Sequence, residues 1–229
     1  MGARRGSVRP EDLPGVLPVF PLPGALLLPR GQMPLNIFEP RYLAMIDDAL
    51  GRGRVIGMIQ PELSITDEDE MRRRTDKPGL CAVGCAGRIT SFAETGDGRY
   101  VIALTGLARF RVLDELPALT PYRRCRVDFG PYLTDLEPRR GEGAVDRPRL
   151  LKTFKAYLDA HKLEADWDGV QRASNEALVN ALSMMAPYGP ADKQALLEAE
   201  DLRTRAEVLI TLTEFVLARA SGEPGPPLN

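Results

Sequence analysis

A chain of 229 residues can bury one large hydrophobic core or two small ones. Its 30 basic and 32 acidic residues leave a formal charge of −2, so no strong field is present to attract nucleic acid or an anionic membrane. Three cysteines, Cys81, Cys85 and Cys125, make no disulfide framework, and no apolar run approaches the roughly 20 residues of a membrane helix. With no signal-peptide pattern either, the expectation is a soluble protein of a reducing cytoplasm, without membrane contact.

Residues 1–14 are poor in apolar groups and read as a flexible arm. Short apolar runs at 16–22, 25–29 and 33–38 read as three strands. Pro18, Pro21, Pro23, Pro29 and Pro34 are expected at strand ends, edges or bulges, because proline cannot donate to a strand ladder. From Glu39 the period changes: Tyr42, Leu43, Ile46, Ala49 and Leu50 fall at helical spacing, Pro40 suits a first turn, and Gly51 with Gly53 ends it. Residues 54–60 read as a buried strand and 66–79 as a charged surface loop. Runs at 80–94 and 100–107 flank Thr95-Gly96-Asp97-Gly98, a hairpin signal. Residues 108–113 and 122–129 alternate, which places Phe110, Val112, Cys125, Val127 and Phe129 in a core and the arginines outside.

Past Gly130 the character shifts. Residues 131–146 read as a polar linker, and four helices follow. Leu151, Phe154 and Leu158 mark the first. The second spans 168–185, with Asp168 and Gln171 as a capping box and Trp167 as a staple before it. The third covers 191–200, and the fourth is opened by Asp201 with Leu202, Leu209 and Val216 on one stripe. The domain plan is therefore an arm (1–14), a β-rich unit (15–130), a linker (131–146), a helical unit (147–220) and a tail (221–229).

Chemistry is sparse. No lysine follows a glycine-rich loop, so no phosphate cradle is expected. Cys81 and Cys85 form the only closely spaced cysteine pair, better suited to a core than to a metal, and the acidic run 67–70 lacks the spacing of a calcium loop. His161 is the single histidine, near a helix C-terminus, and no GxSxG elbow is present. No cofactor, metal site or catalytic residue is expected. Arg109, Arg111, Arg123, Arg124 and Arg126 form either a basic stripe for nucleic acid or the solvated faces of strands. The near-neutral charge favours the second.

The stretch LPVFPLPGALLLPRGQMPLNIFEPRYLAMIDDAL resembles the start of the N-terminal, substrate-binding domain of Lon proteases. The resemblance runs on through GRVIGMIQ, VGCAGRITSFAETGDGRYVIALTGLARFRV and PADKQALLEAEDLRTRAEVL, over about residues 15–218. It implies an α+β fold: a PUA-like β pseudo-barrel with one inserted helix, followed by a C-terminal helical bundle. Lon proteases continue into an ATPase module and a Ser–Lys protease module. Neither motif occurs in these 229 residues, so the resemblance implies a free-standing, non-enzymatic form.

What carries over is recognition of unfolded or tagged polypeptide segments, in protein quality control or as an adaptor, with Lon or another protease as a further partner. The expected contact region is a groove where the helix at Glu39 meets the barrel, together with a cleft between barrel and bundle. Its candidate residues are Phe38, Arg41, Tyr42, Arg109 and Phe110, with the aromatics for apolar contact and the arginines for directional hydrogen bonds. The alternative places Phe38, Tyr42 and Phe110 in the core. A second functional reading, RNA binding, rests on the use that PUA-like barrels often serve.

Overall fold

The computed structural model describes residues 8–62, 78–117 and 119–221. The chain divides into two units, Met1–Glu137 and Pro138–Asn229. The expected charged loop falls almost wholly in 63–77, outside the described residues, as do residues 1–7 and 222–229 of the arm and tail.

Six strands make up the first unit: β1 (Val16–Pro21), β2 (Gln32–Ile37), β3 (Val55–Pro61), β4 (Leu80–Glu94), β5 (Tyr100–Glu115) and β6 (Arg123–Asp128). They form one mixed sheet in the order β2-β5-β4-β3-β1-β6, and a further β5–β6 pairing closes five of them into a ring. Length makes this possible. Residues 100–105 of β5 pair with β2, while residues 111–115 pair with β6. The β1–β3 pairing is parallel and needs a crossover, to which helix α1 (Pro40–Gly51) contributes.

Residues 25–29, expected as a third strand, form none and make only an isolated bridge from Pro29 to Gly106. Leu26, Leu27 and Leu28 are nonetheless all buried, so the segment contributes to the core without a ladder of its own. Gly106 admits the segment: a Cβ there would stand 2.0 Å from the Leu28 carbonyl oxygen. Pro34 sits mid-strand in β2 opposite Ala103. Among the described strands β2 pairs only with β5, so the missing N–H is tolerated, and it interrupts the free edge against strand addition.

The ring interior is filled by Leu17, Val19, Val55, Ile59, Ala86, Phe110, Cys125, Val127 and Phe129. Val8 and Leu13, expected in a flexible arm, pack against this cluster beside a 3-10 turn at Pro10–Asp12. On the opposite face of β3, Ile56 and Met58 are equally buried, so both faces of that strand are covered. Helix α1 turns Tyr42, Met45, Ile46 and Ala49 inward, and the Tyr42 ring lies 4.2 Å from that of Phe20. Pro40 opens α1, and Gly53, at φ +91°, follows its end. The β4–β5 turn is as expected: the Thr95 N–H donates to the Arg99 carbonyl (3.0 Å), with Gly96 and Gly98 at positive φ.

The second unit holds five described helices where four were expected: α2 (Arg147–His161), α3 (Trp167–Arg172), α4 (Asn175–Met185), α5 (Pro190–Glu198) and α6 (Leu202–Ser221). The expected single helix over 168–185 is two. Asp166, not Asp168, caps α3 by accepting the Gly169 N–H, and Ser174 caps α4 by accepting that of Ala177. Trp167 is therefore the first residue of α3 rather than a staple before it. Asp201 caps α6 through the Thr204 N–H (2.8 Å), as expected. Cations close the other ends: Arg147 donates to the Val170 and Ala173 carbonyls, Lys193 to those of Ser183 and Met184, and Arg205 to that of Leu196. The stretch expected as a linker carries 3-10 turns at Gly130–Leu136 and Glu142–Ala144.

Candidate functional site

Of the five candidate residues, all in the first unit, the structure exposes two. Phe38 follows β2 with 61% of its surface in solvent, and Arg41 projects from the first turn of α1. Arg41 pairs with Glu39 (2.8 Å), and its guanidinium lies 4.6 Å from the centre of the Tyr42 ring. Tyr42 itself is buried, and burial pushes its phenol above the ordinary value. Residues 38, 41 and 42 thus share one corner.

Phe110 and Arg109 require correction as contact residues. The Phe110 ring lies on a bed of glycine: a Cβ at Gly84 would come within 2.5 Å of it, and one at Gly57 within 2.9 Å. It is a core residue. Arg109, expected outside, is 3% exposed. Its Nε and Nη2 each donate to the Asp135 carboxylate at 2.9 Å, as does its main-chain N–H. The Tyr132 ring lies 4.7 Å from the guanidinium. Burial opposes the charge on Arg109, but the Asp135 hydrogen bonds and charge outweigh it and hold the guanidinium above its ordinary pKa.

Two of the four remaining arginines of the basic stripe are paired with carboxylates. Arg123 pairs with Glu115 (2.6 Å) and Arg126 with Asp114 (2.7 Å). Cys85 and Cys125 are buried and Cys81 partly so. Among the described residues no three His, Cys, Asp or Glu side chains are grouped to hold a metal, and no helix is long and apolar enough to cross a membrane. His161 is engaged locally: its Nδ1–H donates to the Tyr157 carbonyl oxygen (2.9 Å) and its ring stacks on that tyrosine. Lys193 meets the carbonyl of Ser183 rather than its buried Oγ, so this Ser–Lys juxtaposition is a helix cap.

The feature that sequence reasoning missed lies in the second unit. An open cavity of about 640 Å³ is walled by Leu150, Phe154 and Leu158 of α2, Leu178 and Leu182 of α4, and Leu209 and Ile210 of α6. Leu163 and Met185, 53% and 81% exposed, extend its apolar lining toward solvent. Polar groups are few. The Tyr188 hydroxyl lies 2.6 Å from Thr213 Oγ1, which itself donates to the Leu209 carbonyl (2.7 Å). Glu164 is the one formally charged residue among those lining the cavity. Trp167, the single tryptophan, stands beside it with its ring 6.1 Å from that of Phe154. The sequence signal was the helical stripe of Phe154, Leu158, Leu178, Leu182 and Met185, which reads equally well as core. An apolar cavity with a few convergent polar groups is the usual form of a binding site.

A six-stranded mixed sheet followed by a helical unit is the fold of Lon N-terminal domains. The Lon N-terminal domain protein from Xanthomonas campestris superposes over 85% of this chain and 96% of its own, with a TM-score of 0.58 at 22% identity. The N-terminal domain of Mycobacterium avium complex Lon protease does so over 86% and 97%, at 0.59 and 19%.

Residues 16–214 match the model of the ATP-dependent protease La (LON) substrate-binding domain, and the chain belongs to that family. Lon protease of Anaeromyxobacter dehalogenans is 32% identical over 209 residues, and Lon protease 2 of Myxococcus xanthus 28% over 211. Each alignment covers 90% of this chain and 24% of the relative, so the chain spans about a quarter of the length of these curated relatives.

Proposed function

We propose that this protein is a non-catalytic module that binds exposed apolar segments of polypeptides, taking their side chains into the cavity of the helical unit. The observation that carries this reading is the cavity itself: about 640 Å³, open, and lined by aliphatic and aromatic side chains. That volume suits one or two large apolar side chains, which leave water on entering it. Membership of a substrate-binding domain family agrees with such a role. Phe38 and Arg41 serve as a second contact on the first unit, held in place by α1. In the cell the module acts in protein quality control, either delivering segments to a protease or holding them as an adaptor. RNA binding is disfavoured because Arg109, Arg123 and Arg126 are each engaged by a carboxylate.

Titration with a blocked peptide bearing a central Phe-Leu segment tests the reading, followed by the fluorescence of Trp167. Saturable binding is expected, absent for a serine-substituted control. Ala181, an exposed residue of α4 on the cavity wall, provides the block: Ala181→Phe should weaken binding by about tenfold or more. Equal binding by wild type and variant, with unchanged circular dichroism, would refute the cavity as the site.

A further inference from the structure

Two features of the cavity set the chemistry of what enters it. Thr213 has one hydroxyl proton, and it is given to the Leu209 carbonyl within α6. The short contact to Tyr188 must then be donated by the tyrosine. The phenol proton is thereby spent, and the Tyr188 oxygen is left with lone pairs only, as an acceptor at the edge of an apolar space. The second feature is charge. Glu164 is the formally charged lining residue, and the Asp192 carboxylate also acts on Tyr188. Burial pushes the Tyr188 phenol above its ordinary value, the Thr213 hydrogen bond opposes that in part, and Tyr157 and Asp192 add to it, so the hydroxyl stays neutral at neutral pH. The polar groups lining the cavity therefore include an acceptor and a formal negative charge, and no lining residue is a lysine or an arginine. An apolar ligand bearing N–H donors and a positive charge is matched to it, and one bearing a carboxylate is not.

Resting on the reading above, we infer that the cavity discriminates among apolar segments: it selects those flanked by a lysine or arginine and rejects those flanked by acidic residues. A main-chain N–H of the segment is accepted by Tyr188, and the flanking cation lies against Glu164. This occupant unites the three chemistries on the cavity wall, apolar surface, an acceptor and a carboxylate.

Three blocked peptides with one apolar centre, flanked by Lys, Gln or Glu, test the inference at low salt. Affinity should fall in the order Lys, Gln, Glu, with about tenfold between the extremes. Glu164→Gln, a change at an exposed position, should bring the Lys and Glu peptides to within about twofold of each other. Tyr188→Phe should weaken all three by about three- to tenfold, the worth of one hydrogen bond. Equal affinity for the Lys and Glu peptides in the wild type would overturn the inference, as would a preference that survives in Glu164→Gln. Undiminished binding by Tyr188→Phe would overturn the hydrogen bond to the main chain. These results leave the polypeptide-binding reading standing. That reading fails, and this inference with it, if none of the peptides binds or if Ala181→Phe binds all three like the wild type.

Discussion

Arg109 shows how a single residue departs from its pattern. In a half-buried strand, neighbours alternate between core and solvent, and Phe110 inward implies Arg109 outward. Alternation assigns faces, however, and does not report whether the second face is covered. Here the 3-10 turn at Gly130–Leu136 packs against β5 and brings Asp135 to the arginine. The pair is fully satisfied, with Asp135 also accepting the Arg109 main-chain N–H. Removing one partner leaves a buried charge, so Asp135→Ala should cost about 3–5 kcal/mol in chemical denaturation. The double variant Arg109→Met/Asp135→Leu should recover most of that, falling short by the main-chain N–H left unpaired. A cost below about 1 kcal/mol for the single variant would show that water reaches the guanidinium.

At the scale of elements, α1 is fastened by two tyrosine–aspartate bonds from the sheet unit. The Tyr100 hydroxyl donates to Asp47 at 2.9 Å and the Tyr122 hydroxyl to Asp48. Burial, then the Asp48 bond, push the Tyr122 phenol from 10.0 up to about 12. The unfolded chain loses this proton near pH 10 while the folded chain keeps it. The stabilisation is therefore complete below pH 10 and declines as pH rises through about 12. Tyr122→Phe should cost about 1.5–3 kcal/mol at neutral pH, the range for a hydrogen bond to a charged group. It should also flatten part of the alkaline loss of stability, and parallel pH profiles for the two proteins would rule out this linkage. Neither bond is legible in the sequence, since Tyr100 and Asp47 are 53 residues apart, whereas the helix itself was legible from Pro40 and its apolar spacing.

For the molecule as a whole, the balance of charge and apolar surface decides the kind of binding. Net charge is −2, and three of the five stripe arginines, Arg109, Arg123 and Arg126, are paired with carboxylates. Binding of an uncharged apolar peptide should therefore change by less than about twofold between low and high salt, because apolar burial is little screened. Nucleic-acid binding would fall steeply over the same range, so a steep salt slope in calorimetric titration would favour that alternative.

The sequence by itself determined the β-then-α order, the position of α1, the β4–β5 turn and the family, because these rest on local periodicity, turn chemistry and a long ordered resemblance. It also marked Phe38 and Arg41, which the fold leaves exposed. Only the tertiary structure decided which strands close the ring, the absence of a strand at 25–29 and the burial of Arg109. The cavity belongs with these. A stripe such as Phe154, Leu158, Leu178 and Leu182 looks the same whether its helices meet or stand apart, because periodicity records which face is apolar and not how far away its partner lies.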